Sequence, residues 1–481
     1  MNYRKVFNDL GKILFIEAAL LVIPAGISLY CKDKAFIAFV LTVAAVSLTA
    51  FICISIKPKK SSIYAKEGYL IVSLAWLLMS AFGAMPFVIS GYIPNFIDAF
   101  FETVSGFTTT GSTILKDIEA LPKSLLFWRS FTHFIGGMGI LVFVIAILPK
   151  AEGSDMHIMR AEVPGPTVGK LVSKIRASAR ILYGIYIGLT VFMAILLFAG
   201  GMPAFDSICN SLATAGTGGF SILNDGIAGY NSPYAEWVIA VFMMLFGINF
   251  NLYYLLGKLQ FKRVIKDEEL RWFIGIISAA TFIITLDLTF TKHPFSDSIR
   301  HAFFQVTSII STTGFSSTDF DLWPLITKAI LLLLMFVGGC VGSTGGGLKV
   351  SRIAILFKNS FRSIKKAINP RSVETVKMDG RTVSDDIVNG ITGYFSAFMI
   401  VLAVSFFIVS IDGHNHDMIS SLTGVITCIT NVGPGFGEVG PTGNFSEFSN
   451  LSKIVLSFDM LAGRLELVPM LMLFTKSAYT K

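Results

Sequence analysis

Four short runs of threonine and glycine carry the chemistry of this sequence. They are Phe107-Thr108-Thr109-Thr110-Gly111-Ser112-Thr113, Ala215-Gly216-Thr217-Gly218-Gly219-Phe220-Ser221, Ser311-Thr312-Thr313-Gly314-Phe315-Ser316 and the looser Thr430-Asn431-Val432-Gly433-Pro434-Gly435. Taking Gly111, Gly218, Gly314 and Gly433 as reference points, the copies are 107, 96 and 119 residues apart. Such backbone suits a dehydrated monovalent cation. Carbonyl oxygens replace the ion's water at fixed positions without adding net charge, so the ion binds yet can leave. Glycine tolerates positive φ and lets carbonyls leave helical directions, while threonine hydroxyls satisfy nearby polar groups. The candidate ion-handling residues are therefore Thr110, Gly111, Thr217, Gly218, Thr313, Gly314, Val432 and Gly433. A single Thr/Gly run reads equally well as an ordinary loop. Four copies, each after a half-length helix and between two apolar spans, do not.

Two further features bear on passage of an ion. The first is Gly338-Gly339-Cys340-Val341-Gly342-Ser343-Thr344-Gly345-Gly346-Gly347, within an otherwise apolar segment. Glycine costs a helix about 1 kcal/mol per residue, so the span should break here. Gly338, Gly339, Gly342, Ser343, Thr344, Gly345, Gly346 and Gly347 then form a flexible loop, either a simple kink or a gate below the carbonyl ring. No other copy of the unit has an evident break of this kind. The spacing of a phosphate-cradling loop is absent, and no strand precedes it. The second feature is Arg464, deep in the last apolar segment. An intramembrane arginine faces a cavity or a partner. It is either salt-bridged to Glu466 or Asp459, or a positive barrier in the pore. The six histidines lack metal-ligand spacing, and no nucleophile–base constellation accompanies them.

These residues need a membrane to sit in. The chain has 481 residues, 53% hydrophobic and 15% charged, against about 25% charged in soluble proteins. The apolar residues come in runs of roughly 18 to 25, long enough to cross a bilayer. The net charge of +8 does not indicate nucleic acid, because the basic residues fall in alternating loops. Cys31, Cys53, Cys209, Cys340 and Cys428 are odd in number and scattered, which suits small fillers rather than a disulfide frame or metal site. The first apolar segment lacks a small-residue cleavage site and reads as a retained helix.

The expected fold is an all-α polytopic membrane protein of ten spans. An N-terminal pair (10–30 and 35–56) occupies 1–66. Four span–pore-helix–span repeats follow at 67–150, 151–258, 259–358 and 359–481, in a pseudo-fourfold arrangement. Their first spans fall at 67–91, 181–200, 272–291 and 388–411. Their half-helices are Asn95–Ser105, Ala204–Ala213, Ser298–Ile310 and Asp417–Ile429. Their second spans fall at 124–148, at 234–257, from about Pro324, and at 450–474. Glu102 and Gln305 each lie nine residues before the reference glycine, Asn210 lies eight before, and Gly424 takes the fourth place. Such polar side chains could brace the backbone behind each loop. The segments 57–66, 149–180, 258–271 and 349–381 hold 4, 6, 5 and 9 lysines and arginines, and the loop-bearing segments 92–125, 201–234, 292–328 and 412–452 hold 2, 0, 3 and 0. Positive loops stay in the cytoplasm, so all four Thr/Gly loops should open outward.

The sequence resembles the Trk/Ktr/HKT superfamily of cation transporters, in its TrkH/TrkG branch, over nearly the whole chain. The resemblance rests on the four loops, on His133-Phe134-Ile135-Gly136-Gly137-Met138-Gly139, on Gly247-Ile248-Asn249-Phe250, and on Gly339 through Lys349. It implies a potassium-selective conducting subunit with K⁺ as the transported ion and no organic cofactor. It also implies a homodimer in the inner (cell) membrane, with a cytoplasmic nucleotide-binding regulatory subunit of the TrkA type. It further implies that the loop 338–347 gates the pore and that Arg464 is the family's basic residue of the last helix. Glycine at 111, where Na⁺-preferring plant relatives carry serine, implies K⁺ selectivity. Ala215-Gly216 and Asn431-Val432 depart from the family pattern. Alternatives are a symporter coupling K⁺ to H⁺ or Na⁺, or a membrane nucleotide sensor.

Overall fold

The structure, a computed structural model, describes residues 2–58, 65–139, 175–291, 294–411 and 416–475. The expected span from 140 to 148, most of the loop 149–180 (with Lys150, Arg160, Lys170 and Lys174), Lys59, Lys60 and His414 lie outside the described residues. The rest is predominantly helical. Helices α1 (Tyr3–Cys31) and α2 (Phe36–Ser55) form a hairpin that packs on α3 (Ala65–Ser90) and α5 (Lys123–Gly137). Asn8 ties the hairpin together by donating to the carbonyl of Ile54 at 2.9 Å.

Between α3 and α5 lies the short helix α4 (Phe96–Phe107). It starts where the Asn95 side chain accepts the Ile97 amide at 2.9 Å, a standard way to satisfy first-turn donors. Three further groups of elements have the same order. One is α6 (Ile175–Ala199), α7 (Ala204–Gly216) and α8 (Pro233–Phe246), with α9 (Phe250–Gly257) and α10 (Phe261–Lys266) after it. The next is α11 (Glu268–Phe290), α12 (Phe295–Ile310) and α13 (Leu325–Val337), followed by α14 (Val350–Ile368). The last is α15 (Asp385–Ile411), α16 (Met418–Thr430), α17 (Asn450–Arg464) and α18 (Val468–Met472). A two-stranded hairpin, Lys377–Met378 with Arg381–Thr382, sits between α14 and α15.

Among the described residues six helices are long and apolar enough to cross a membrane, or seven if the bent pair α8–α9 counts as one. The chain is thus a membrane protein. Helices α5, α8, α13 and α17 are only 15, 14, 13 and 15 residues long. At 1.5 Å per residue each covers about 20 Å, short of a ~30 Å hydrocarbon core.

This corrects the expectation that only the span with the Gly-rich run is interrupted. Helix α8 ends at Phe246 and α9 resumes at Phe250 after a 93° bend, so 234–257 is not one straight helix. Helix α17 stops at Arg464, Glu466 and Leu467 take φ of 60° and 59°, and α18 follows. Helix α5 gives way after Gly137 to Gly139 at φ 77°. Broken backbone survives at membrane depth where its polar groups find protein partners, and the partners are found at the site described next.

Candidate ion-handling site

Each short helix, α4, α7, α12 and α16, ends in the same backbone cap. A residue in the left-handed region follows: Thr109 (φ 57°), Thr217 (57°), Thr312 (60°) and Asn431 (56°). Its N–H donates three residues back, to Gly106, Thr214, Ile309 and Cys428. The next N–H, of Thr110, Gly218, Thr313 and Val432, donates five residues back, to Ser105, Ala213, Ser308 and Thr427, at 2.8 to 3.0 Å. These paired bonds are a Schellman cap. Glycine is the usual left-handed residue there, whereas a β-branched residue at positive φ costs about 1–2 kcal/mol. Three of the four caps carry threonine regardless, and strain of this kind gathers at functional sites.

One residue later φ is positive again, at Gly111 (86°), Gly219 (72°), Gly314 (81°) and Gly433 (101°). The second loop therefore enters the common pattern one position later than counting from Gly218 gives. Thr217 is the counterpart of Thr109, Gly218 that of Thr110, and Gly219 that of Gly111. With that shift Asn210 lies nine residues before the glycine, in line with Glu102 and Gln305.

The four loops touch in cyclic order. A Cβ on Gly111 would overlap the carbonyl oxygen of Gly218. One on Gly219 would overlap that of Thr313, one on Gly314 that of Val432, and one on Gly433 that of Thr110. These carbonyls belong to the same position of each cap, and no described residue donates a hydrogen bond to them. Buried backbone oxygens are rarely left so. The short helices also bring their partially negative C-terminal ends to these loops, which favours a cation.

Side chains hold the first two loops to each other. Glu102 accepts the Ile114 amide at 3.0 Å and the Thr113 hydroxyl at 2.9 Å. Arg129, 2% exposed, donates to Glu102 at 2.8 Å and to the carbonyl of Ser221 at 3.0 Å, and lies 4.0 Å over the ring of Phe220. His133, one turn on, contacts the Gly106 carbonyl through Nδ1 at 2.7 Å, and its Nε2 accepts the Phe220 amide at 3.2 Å. A carbonyl can only accept and an amide can only donate, so His133 is neutral with its proton on Nδ1. Of the residues expected to brace the loops, only Glu102 reaches a loop amide. Asn210 donates to the Tyr230 hydroxyl at 3.1 Å, and the Gln305 amide has no partner among the described residues. The sequence reading missed Arg129 and His133 in these roles, although a buried arginine in a membrane helix is a signal.

The Gly-rich run lies against the third and fourth short helices. Gly346 donates to the Thr312 hydroxyl at 2.6 Å. Ser311 O and Thr430 O lie 2.8 and 2.7 Å from where Cβ atoms on Gly345 and Gly346 would stand. On its other side the run bonds to the break between α8 and α9. Cys340 N donates to Gly247 O at 2.9 Å, Phe250 N to Gly342 O at 3.0 Å, and the Thr344 hydroxyl to Phe246 O at 3.2 Å. Two interrupted helices thus satisfy each other's backbone. Arg464 donates to Thr344 O at 2.8 Å and to Gly136 O and Gly137 O at 2.6 and 2.7 Å. Glu466 instead pairs with Arg352 at 2.8 Å, and Asp459 accepts from Ser405 at 2.7 Å. Buried Lys349 donates to the Gly345 carbonyl, so two basic side chains grip the same loop.

Known proteins are similar to this chain over its full length. Residues 32–479 match the TrkH family, described as cation transport proteins. The chain is 38% identical to the Trk system potassium uptake protein TrkH of Escherichia coli K12 over 483 residues, covering 99% of both. It is 33% identical to TrkG of the same organism, covering 98% of both. The crystal structure of the potassium transporter TrkH from Vibrio parahaemolyticus superposes with a TM-score of 0.88 at 32% identity, over all of both chains. On sequence and structure alike, this chain belongs to the TrkH family of cation transport proteins.

Proposed function

We propose that the chain is the K⁺-conducting subunit of a Trk-type uptake system, with K⁺ passing through a filter built from the four loops. The observation that carries this reading is the closed circuit of four identical caps, each presenting one unbonded carbonyl against the next loop's glycine. In this reading the chain comprises an N-terminal helix pair and four repeats around a pseudo-fourfold axis. The ion is held by backbone oxygens at Thr110–Gly111, Gly218–Gly219, Thr313–Gly314 and Val432–Gly433, with Thr217 at the second cap. The loop 338–347 is the gate beneath the filter, and Arg464 is the charge that latches it. The distribution of basic loops supports an orientation with the filter outward in the cell membrane. Relatives named as Trk system uptake proteins support K⁺ as the ion and a multicomponent assembly, here a homodimer with a TrkA-type cytoplasmic regulator.

The test is K⁺ and Na⁺ flux from vesicles reconstituted with the full chain, with and without the regulator. A reversal potential that follows the K⁺ gradient alone is expected. Equal permeation by Na⁺ would overturn the filter, and a potential that also follows H⁺ or Na⁺ would replace conduction with symport.

A further inference from the structure

We propose that Glu269 is a positioning residue for ion passage, its carboxylate tying the Gly-rich loop to the helix after it in the closed arrangement. This rests on the reading of that loop as the gate. Glu269 is the second residue of α11, and the start of that helix is already capped by Asp267, which accepts the Leu270 amide at 2.8 Å. The Glu269 carboxylate is therefore not spent on its own helix. It turns to the loop, where one oxygen accepts the Val341 amide at 2.9 Å and the Ser351 amide at 3.1 Å. Val341 lies in the first half of the loop, and Ser351 lies in the first turn of α14 that follows it. One buried oxygen thus ties the loop to the helix that follows it.

A charged acceptor makes stronger bonds than a neutral one, and backbone amides left without it in a buried place are costly. The loop's glycines supply no side chains to pack, so its other restraints are polar: the bonds to the α8–α9 break, to the Thr312 hydroxyl, and from Arg464 and Lys349. The neighbouring Glu268 joins the start of α11 to the hairpin 377–382. It accepts the Asp379 amide at 2.9 Å, its own amide donates to Asp379 at 2.8 Å, and it pairs with Lys358. Asp379 sits at the turn of the exposed hairpin 377–382.

The experiment uses the full chain in vesicles with the variants Glu269→Ala and Glu269→Gln, and a deletion of 340–345 in the same assay. It measures K⁺ flux and maleimide labelling of the native cysteines, read by mass spectrometry. Cys340 lies within the loop and is buried, Cys209 and Cys428 are buried elsewhere, and Cys31 is exposed and labels in every variant. For Glu269→Ala we expect flux and Cys340 labelling to rise at least tenfold, the factor that losing a single bond to a charged acceptor is worth. Cys209 and Cys428 should stay protected. Glu269→Gln, which keeps an acceptor oxygen but not its charge, should fall between the parent and Glu269→Ala. Unchanged Cys340 labelling in Glu269→Ala overturns the proposal, as does labelling that spreads to Cys209 and Cys428, which would mean general loosening. If the deletion leaves flux unchanged, the gate reading falls, while the labelling still decides whether Glu269 positions the loop.

Discussion

The α-carbon of Gly111 packs so closely on the carbonyl oxygen of Gly218 that any Cβ would overlap it, and φ at Gly111 is 86°. Serine at this position meets both a steric and a conformational obstacle. Gly111→Ser should push the Gly218 carbonyl off its place and weaken K⁺ over Na⁺ discrimination by about tenfold, equivalent to about 1.4 kcal/mol. The check is relative permeability in reconstituted vesicles, and an unchanged ratio would remove Gly111 from the filter.

The backbone register makes Gly219, not Gly218, the counterpart of Gly111. Gly219→Ala should therefore reproduce the selectivity loss, since its φ is 72° and its Cβ would meet Thr313 O. Intact selectivity in that variant would refute the register.

Arg464 bonds three carbonyls across two segments. Replacing it by alanine frees Thr344 O and removes a positive charge beneath the loops, so K⁺ conductance should rise several-fold. Lysine should not restore the parent behaviour, because an ammonium lacks the planar fork that spans separated acceptors. Conductance of single channels or ensemble flux reads this directly. A parent-like value for alanine would mean the residue serves only the fold.

The Arg129–Glu102 pair is buried on both sides, at 2% and 1% exposure. Arg129→Ala leaves an uncompensated carboxylate and should cost roughly 3–5 kcal/mol, seen as a lower thermal midpoint in detergent. The double variant with Glu102→Gln should be less damaged than Arg129→Ala alone. If it is more damaged, the two side chains act independently.

Asn431 offers a cleaner separation of backbone from side chain. Its amide donates to the Thr110 hydroxyl and to Met460 O, both at 2.9 Å. Asn431→Gly keeps the left-handed φ and loses only these bonds, at about 1 kcal/mol each. Asn431→Ala adds conformational strain, so it should be the less stable of the two by thermal unfolding.

The short helices and the loops after them were legible in the sequence because length, polarity and the Thr/Gly pattern agreed four times. The ends of α4, α7, α12 and α16 fall within three residues of expectation. The slip at the second loop came from Gly216, Gly218 and Gly219 crowding together, where Thr217-Gly218 imitates Thr110-Gly111. The odd spacing of Asn210 was the clue to it. The broken second helices were less visible. Gly247 and Asn249 stand within an apolar stretch of sequence, and the break at Leu465–Leu467 contains no glycine, so tertiary bonding rather than local propensity places it. The clamp of Arg129 and His133 across two loops depends on contacts about 90 residues apart in sequence, which spacing does not reveal.

The circuit of glycine against carbonyl has a consequence for how mutations combine. Each corner is a steric stop for the next, and the fourth returns to the first. Moving one carbonyl therefore displaces its neighbours in turn, and damage does not stay at the corner where it began. Substitutions at two corners should then fall well short of the sum of their separate effects, as expected of sites in contact. In evolutionary terms the four corners form one heritable character, reachable by coordinated change more readily than by one corner drifting alone.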